Sequence, residues 1–249
     1  MNANKVLIKA CLNGARPAGS HPALPVTPDE VARAVAAARD AGAGAVHFHP
    51  RGPSGAESLD AADVGAVVDA VRAACPGLPA GVTTGAWIER DPAKRLELIN
   101  AWKVLPDFAS VNWREDGAPE LAARLIDMGV AVEVGLFTLD DAKAFAAGKV
   151  APYCLRALIE VRGADGIDAV DLAWSMDEAL GAAGLTIPRL HHGFADDTWR
   201  VVGRALEKGR DVRIGLEDTF TLADGRQARD NAELVAAVAT MARGAGRTI

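Results

Sequence analysis

Apolar residues in this chain follow two alternating patterns. Short continuous runs, each closed by a polar residue or a glycine, read as buried strands; between them apolar residues recur three and four positions apart, as along one face of a helix. The predicted strands are Val6–Cys11, Gly44–His49, Ala80–Thr84, Phe108–Asn112, Val130–Val134, a segment within Tyr153–Val161, Ile187–His191 and Val212–Leu216. The helices between them start on recognisable signals. Thr27-Pro28-Asp29-Glu30 offers an N-cap threonine, a proline in the first turn and a glutamate placed to close a capping box.

Val31, Val35 and Ala38 give that first helix its apolar face, and Gly42 ends it. Val64, Val67, Val68 and Val71 mark the second; Asp91-Pro92 starts a third carrying Leu96 and Ile99. Leu121, Leu125 and Met128 belong to the fourth, and Leu139, Ala142 and Phe145 after Thr138 to the fifth. The sixth is read around Ile167, Val170, Trp174 and Leu180, the seventh on Trp199, Val202 and Leu206, and the last from Asp230 or Asn231 through Met241. Strands alternating with helices over short loops imply a parallel sheet covered by helices. Eight of each predict an α/β fold, a single (β/α)8 TIM barrel forming one domain over residues 1–249.

Composition narrows the classes of partner. A formal charge of −6 with no long basic run argues against nucleic-acid binding by counterion release. No run of apolar residues is long enough to span a bilayer, and the stretch from Val6 is too short for a signal-peptide core. Cys11, Cys75 and Cys154 are odd in number and widely spaced, as expected of free thiols in a reducing compartment. The expectation is a soluble, cytoplasmic protein.

In a barrel, functional groups gather at the C-terminal ends of the strands. Those positions hold Asn13, His47, His49, Thr83, Thr84, Ser110, Asn112, Glu133, Glu160, His191, His192, Arg213, Glu217 and Asp218. His47 and His49 are two apart in a strand and so point to the same side, and Pro50 ends the ladder beyond them. Arg213, Gly215 and Glu217 would share one face of strand eight, which in a closed barrel lies one strand away from strand two. Two imidazoles and one carboxylate leave coordination positions open, as a catalytic metal site requires. Zinc is the first choice, with iron(II) or manganese able to use the same ligands.

Arg51, next to the histidines, could bind an anionic substrate. Arg213 and Asp218 are expected to pair, keeping Asp218 ionised and oriented as a base, with Thr83 adding a hydrogen bond. His191 and His192 read either as further ligands or as a solvated loop pair before Gly193. Glu133 and Glu160 read either as supports for a ligating histidine or as salt-bridge partners of neighbouring strands.

At these residues the sequence resembles the β-keto acid cleavage enzymes, the family that includes 3-keto-5-aminohexanoate cleavage enzyme. The resemblance runs through Ala10-Cys11-Leu12-Asn13-Gly14-Ala15, His21-Pro22-Ala23-Leu24-Pro25-Val26-Thr27-Pro28, Ala41-Gly42-Ala43 and Val46-His47-Phe48-His49-Pro50-Arg51. It continues through Thr83-Thr84-Gly85, Pro106–Asn112, Val212–Asp218 and Asn231–Val235. It implies a zinc enzyme on a (β/α)8 barrel, usually a homo-oligomer, that takes a β-keto acid and acetyl-CoA to acetoacetate and a new acyl-CoA. Carried over, His47, His49 and Glu217 are metal ligands; Arg213, Asp218 and Thr83 match the proton-abstracting group; and Ser110 matches a substrate-holding hydroxyl, with Asn112 beside it.

The chain also departs from that pattern. Arg16 stands where members acting on the aminated substrate carry a glutamate, which predicts a substrate with a second carboxylate held in a guanidinium fork. The loop Trp113–Gly117 after strand four is short for the family, and His191-His192-Gly193-Phe194 replaces a glycine-rich stretch. Two other classes compete. A hydrolase of the amidohydrolase kind would place His-x-His on strand one and further histidines on strands five and six, where none stands. A non-catalytic barrel that binds a metal or small molecule is the other, against which Arg213, Glu217 and Asp218 argue.

Overall fold

The computed structural model describes residues 4–163 and 166–249. Eight parallel strands close into a barrel in sequence order, β1 (Ile8–Cys11), β2 (Ala45–Phe48), β3 (Ala80–Thr83), β4 (Phe108–Asn112), β5 (Ala131–Leu136), β6 (Arg156–Val161), β7 (Arg189–Gly193) and β8 (Asp211–Ile214). Closure is direct: Lys9 of β1 stands opposite Arg213 of β8 on one side and Ala45 of β2 on the other.

Each strand is followed by one helix: α1 (Pro28–Asp40), α2 (Ala61–Ala74), α3 (Pro92–Asn100), α4 (Ala118–Asp127), α5 (Leu139–Ala146), α6 (Ala169–Ala182), α7 (Thr198–Glu207) and α8 (Asn231–Gly244). The start signals act as written. Thr27 caps α1 with Glu30 closing the box, Thr138 caps α5, and Asp230 caps α8 by accepting from the Glu233 amide. Val31 and Val35 of α1, and Val64, Val67, Val68 and Val71 of α2, pack against outward-facing strand residues such as Val46, Val82 and Ile214. This ring between helices and sheet is the main apolar core.

The inside of the barrel is different. Its floor is charged: buried Lys9 pairs with Glu133, and Arg156 Nε lies 3.1 Å from the other Glu133 oxygen. The Phe108 ring lies beside both cations, 5.7 Å from Lys9 Nζ and 5.9 Å from Arg156 Cζ. Gly81 makes room for that ring, because a Cβ there would come within 2.0 Å of it. Glu133 is therefore a salt-bridge partner across the barrel floor, not a support for a metal ligand.

Several boundaries differ from the sequence expectation, and β1 starts at Ile8, not Val6. β5 runs on to Leu136, α6 begins beyond the 52% exposed Ile167, and β8 stops at Ile214, before Glu217. β7 starts two residues later than predicted and takes in His191 and His192, both buried. They are not a solvated loop pair. His191 Nε2 is 2.8 Å from Asp177 of α6 on the outer face, and His192 Nε2 is 2.9 Å from Glu160 inside the barrel. Carboxylates far away in sequence give both rings buried partners.

Candidate active site

The first half of the site is set by the end of β2. His47 lies next to Cys11 and Gly81 in the ladder, and its ring meets that of His49 edge-on, with centroids 5.2 Å apart. Asn13 fixes the chain at His49: its Oδ1 accepts from the His49 amide at 2.8 Å and its Nδ2 donates to the His49 carbonyl at 3.1 Å. Glu57, from the loop before α2, places Oε1 2.5 Å from His49 Nδ1. Its other oxygen accepts from the Trp87 indole at 3.0 Å, and Trp87 stacks on the His49 ring at 6.0 Å. A carboxylate on Nδ1 places the proton there and leaves the Nε2 lone pair for another partner.

The second half comes from the turn after β8. The Thr219 and Asp218 amides both donate to the Gly215 carbonyl, at 3.1 and 2.9 Å, so the chain folds back instead of continuing as a strand. The side-chain oxygen of Asn231, at the start of α8, accepts from the Leu216 amide at 2.8 Å, while its nitrogen donates to the Leu12 carbonyl. Gly215 allows this close approach, since a Cβ would stand 1.9 Å from the Cys11 carbonyl oxygen. Gly14 has φ +54° and faces the Glu217 side chain, where a Cβ would fall 2.4 Å from Cγ. Two glycines and one asparagine thus bring Glu217 over β2, a task that the two-residue strand period would not achieve once β8 has ended.

Glu217 Oε2 lies 3.9 Å from His47 Nε2, and its Oε1 lies 3.8 Å from His49 Nε2. The donor atoms of the three residues fall within 4.8 Å of one another. Tetrahedral ligands around zinc are separated by roughly 3.3 Å, so a small contraction completes the set. Glu217 Oε2 is buried without a hydrogen-bond partner, which is costly unless something positive sits beside it. Burial, opposed by the charge of Glu217, pushes His47 well below the ordinary imidazole range and keeps its lone pair free. Burial works the other way on Glu217, but Arg213, His49, His47 and His192 together outweigh it and hold the carboxyl well below its usual range. Two imidazoles beside an ionised, partly orphaned carboxylate are a donor set that fits a divalent cation.

Arg213 ties the candidate ligand Glu217 to the candidate base. Its Nη2 donates to Glu217 Oε1 at 2.9 Å and to Asp218 Oδ1 at 2.6 Å, and its Nε also reaches Asp218 Oδ1. Asp218 Oδ2 is buried and has no partner. Burial raises the Asp218 pKa, and Arg213 and His192 offset that only in part, so this carboxylate is the more basic of the adjacent pair. Thr83 does not bond to Asp218 as expected: its hydroxyl accepts from the Gly85 amide at 3.1 Å.

A cavity of about 310 Å³ opens over these groups. Thr83, Ser110, Asn112, Glu160 and Arg213 line its inner side, with Arg16, Trp87, Phe137, Arg162 and Phe194 around its mouth. Asp218, 1% exposed, lies behind Arg213 and Glu217. Asn112 donates to Glu115 at 2.8 Å, and Gly135 leaves space for its Oδ1, where a Cβ would come within 2.6 Å. Arg16 does not point to solvent. Its Nε and Nη2 donate to the Glu217 and Asp218 carbonyls at 3.2 and 3.3 Å, and its guanidinium stacks on Phe220 at 4.6 Å.

Arg51 is not brought to the cavity. It donates to the carbonyls of Gly55, Gly14 and Arg16 at 2.9, 2.8 and 2.7 Å, holding the loops behind the histidines. Glu57, Trp87, Arg162 and Asn231 were not singled out from sequence. Glu57 and Trp87 sit in irregular loops without periodicity; the one signal that could have been used was an acid within ten residues of a His-x-His pair.

A parallel (β/α)8 barrel with two histidines and two acids converging on one arginine at its C-terminal mouth defines an enzyme whose site can hold a metal. The family model for BKACE, beta-keto acid cleavage enzyme, matches residues 5–249, and the chain belongs to that family. It is 25% identical over 264 residues to a 3-keto-5-aminohexanoate cleavage enzyme of Acetoanaerobium sticklandii, covering 98% of this chain and 94% of the relative. It is 28% identical over 261 residues to a 3-oxoadipate:acetyl-CoA acetyltransferase of Cupriavidus necator, covering 98% and 90%. Among solved structures, a ternary complex of ObcA with a C4-CoA adduct and oxalate has the same fold, at a TM-score of 0.74 and 20% identity over 92% of this chain. The chain spans 65% of the length of that larger protein. No helix among the described residues is long and apolar enough to cross a membrane.

Proposed function

We propose that the protein transfers acyl groups between a β-keto acid and acetyl-CoA, releasing acetoacetate and a new acyl-CoA, with zinc held by His47, His49 and Glu217. The observation that carries this reading is the meeting of those three donors beside an orphaned carboxylate oxygen and an Arg213–Asp218 pair. The chemistry that zinc supplies at such a site is Lewis-acid polarisation of a keto oxygen. Everything else falls to side chains. Asp218, held through Oδ1 by Arg213, removes the proton from the carbon between the keto and carboxylate groups. The resulting carbanion attacks the acetyl-CoA carbonyl and expels the CoA thiolate. That thiolate adds to the original keto carbon, and cleavage of the carbon–carbon bond leaves an acyl-CoA and the acetoacetate carbanion, to which Asp218 returns its proton. No covalent enzyme nucleophile is required.

Ser110, Asn112 and Thr83 are placed to orient the acid inside the cavity. Arg16, anchored by two carbonyls and an aromatic face, presents a fixed cation at the mouth and favours an acid with a second carboxylate. The relative that acts on 3-oxoadipate supports a dicarboxylic substrate. A homo-oligomer in the cytoplasm completes this reading; light scattering of the purified chain tests the first part.

The decisive experiment is acetoacetate formation by metal-loaded protein given acetyl-CoA and a panel of β-keto acids, with and without chelator. The expected result is chelator-sensitive product, greatest with a dicarboxylic acid. Arg16→Ala should raise KM about tenfold or more for that acid and less for a neutral one. Firm metal binding with no product from any acid would return the hydrolase or the silent barrel.

A further inference from the structure

Glu160 and His192 are buried ionisable groups inside the barrel, and neither holds the metal nor moves a proton in the proposed acyl transfer. Alternation along β7 turns His191 outward and His192 inward, and the β6–β7 register sets His192 directly opposite Glu160. Glu160 Oε2 lies 2.9 Å from His192 Nε2 and 3.6 Å from Arg213 Nη1. The other ring nitrogen of His192, Nδ1, lies 3.7 Å from Asp218 Oδ1, past hydrogen-bond reach but close enough for charge to act. With the 2.6 Å bond from Arg213 Nη2 to Asp218 Oδ1, the contacts close a ring that runs from Asp218 through Arg213, Glu160 and His192 back to Asp218. Carboxylates and nitrogen-bearing groups alternate around it, and all four side chains are buried.

The ring is lopsided at Asp218. Arg213 Nε, Arg213 Nη2 and His192 Nδ1 all face Oδ1, while Oδ2 is buried without a partner among the described residues. A guanidinium commonly takes a carboxylate with two parallel bonds, one to each oxygen. That fork would occupy both Asp218 oxygens and leave none to accept a proton. Here Arg213 is held out of it, because Nη2 is shared with Glu217 Oε1 at 2.9 Å and Nη1 faces Glu160. His192 is fixed in turn: Phe194 packs edge-on against it at 4.6 Å, and Nδ1 lies 3.2 Å from the Gly193 carbonyl, which also accepts from the Thr198 hydroxyl at 3.1 Å. Burial works against an ionised Glu160, but Arg213 and His192 outweigh it and hold the carboxyl below its usual range. Gly135 leaves the space that this carboxylate needs, since a Cβ there would stand 2.7 Å from Oε1.

We propose that Glu160 and His192 are positioning residues that hold Arg213 and Asp218 Oδ1 in place, so that Oδ2 is the oxygen left free to take the proton of the keto acid. They act through Arg213 and Asp218. This assignment rests on the function proposed above. It also gives a task to the stretch His191-His192-Gly193-Phe194, at which the chain departs from the pattern of its family.

The test turns on two amides. A glutamine amide reaches where Nε2 of a histidine stands, and an asparagine amide where Nδ1 stands. His192→Gln keeps a donor for Glu160 and loses the one beside Asp218; kcat for acetoacetate formation should fall about tenfold or more, with KM for the keto acid within about twofold and zinc content at the wild-type level. His192→Asn should recover most of that loss. Glu160→Gln, which keeps the shape and removes the charge facing Arg213 Nη1, should lose kcat as His192→Gln does and tests the same ring should the histidine variants fail to fold. Crystal structures supply a readout independent of turnover: Asp218 should keep Oδ2 free in the wild type and turn or fork onto Arg213 in His192→Gln and Glu160→Gln. A wild type that makes acetoacetate, with both glutamine variants equal to it in kcat and in the orientation of Asp218, would overturn the positioning role and leave the function standing. A loss in Glu160→Gln that lies in KM alone would make Glu160 a substrate contact, and equal losses in His192→Asn and His192→Gln would reduce His192 to filling space; either overturns the proposal. A wild type that makes no acetoacetate from any keto acid would overturn the function, and the positioning role with it.

Discussion

Glu57 Oε1 stands 2.5 Å from His49 Nδ1, across a loop that no periodic pattern marks. The contact fixes the tautomer of His49, so that Nε2 is the nitrogen presented to Glu217. Trp87 closes the arrangement by donating to the other Glu57 oxygen and stacking on the imidazole.

Removing Glu57 should therefore weaken metal binding without unfolding the barrel. For Glu57→Ala a loss of about 10- to 100-fold in zinc affinity is expected, read by competition with a fluorescent chelator. Glu57→Gln, which can still accept a hydrogen bond, should fall between. Trp87 supplies a second readout: zinc should change its fluorescence in the wild type and change it less in Glu57→Ala. Wild-type affinity in both variants would show that His49 needs no orienting partner.

The proposed function gives the adjacent Asp218 and Glu217 separate tasks. Asp218→Asn should lower kcat by about 10²- to 10⁴-fold and leave metal content at the wild-type level. Glu217→Gln should do the reverse in order, losing metal first and activity as a result. Metal analysis on both purified variants separates the roles; a metal-free Asp218→Asn would place that residue among the ligands.

Gly14 is constrained both by its own backbone and by its neighbour. With φ +54° and Glu217 Cγ 2.4 Å from the position of a Cβ, Gly14→Ala must either strain the loop or move the carboxylate. A destabilisation of about 1–3 kcal/mol is expected, together with weaker metal binding. Thermal unfolding followed with and without zinc measures both, and a variant unaltered in each would mean that the Glu217 side chain has another place to go.

The pair on the outer face of β7 predicts how stability depends on pH. Burial lowers the pKa of His191 below its ordinary 6.5, against the pull of Asp177. The unfolded chain therefore binds a proton near pH 6.5 that the folded chain resists, so this stability is complete above about pH 6.5 and is lost as pH falls through the folded value. His47, depressed for the same first reason, adds to the slope. His191→Gln, which keeps a donor for Asp177, should reduce but not abolish the fall in melting temperature as pH drops below about 6.5. An unchanged slope would assign the whole dependence to other groups.

Much of the architecture could be read directly from the chain. The strand runs, the capping box at Thr27, the helix start at Thr138, and the helix faces gave an eightfold alternation, and a closed barrel was the simplest way to bury it. The ligand candidates followed as well, because a barrel confines polar residues at strand ends to one mouth. His47, His49, Glu217, Arg213 and Asp218 meet there as expected.

What the sequence could not decide was the direction and partner of side chains that depend on contacts distant along the chain. Arg51 lies next to His47 and His49 in sequence, yet three loop carbonyls take its donors; Arg16, read from the sequence as facing a substrate carboxylate, also grips the turn of Glu217 and Asp218. His191 and His192 left two readings open, further ligands or a solvated pair, because Asp177 and Glu160, which bury and bond them, come from α6 and β6. Periodicity is a local property, set by backbone geometry and by which face meets the core, so the sequence by itself determined the elements and their order. Hydrogen-bond partners at the mouth are set by which loops closure of the barrel brings within about 3 Å of one another, and only the tertiary structure decided those.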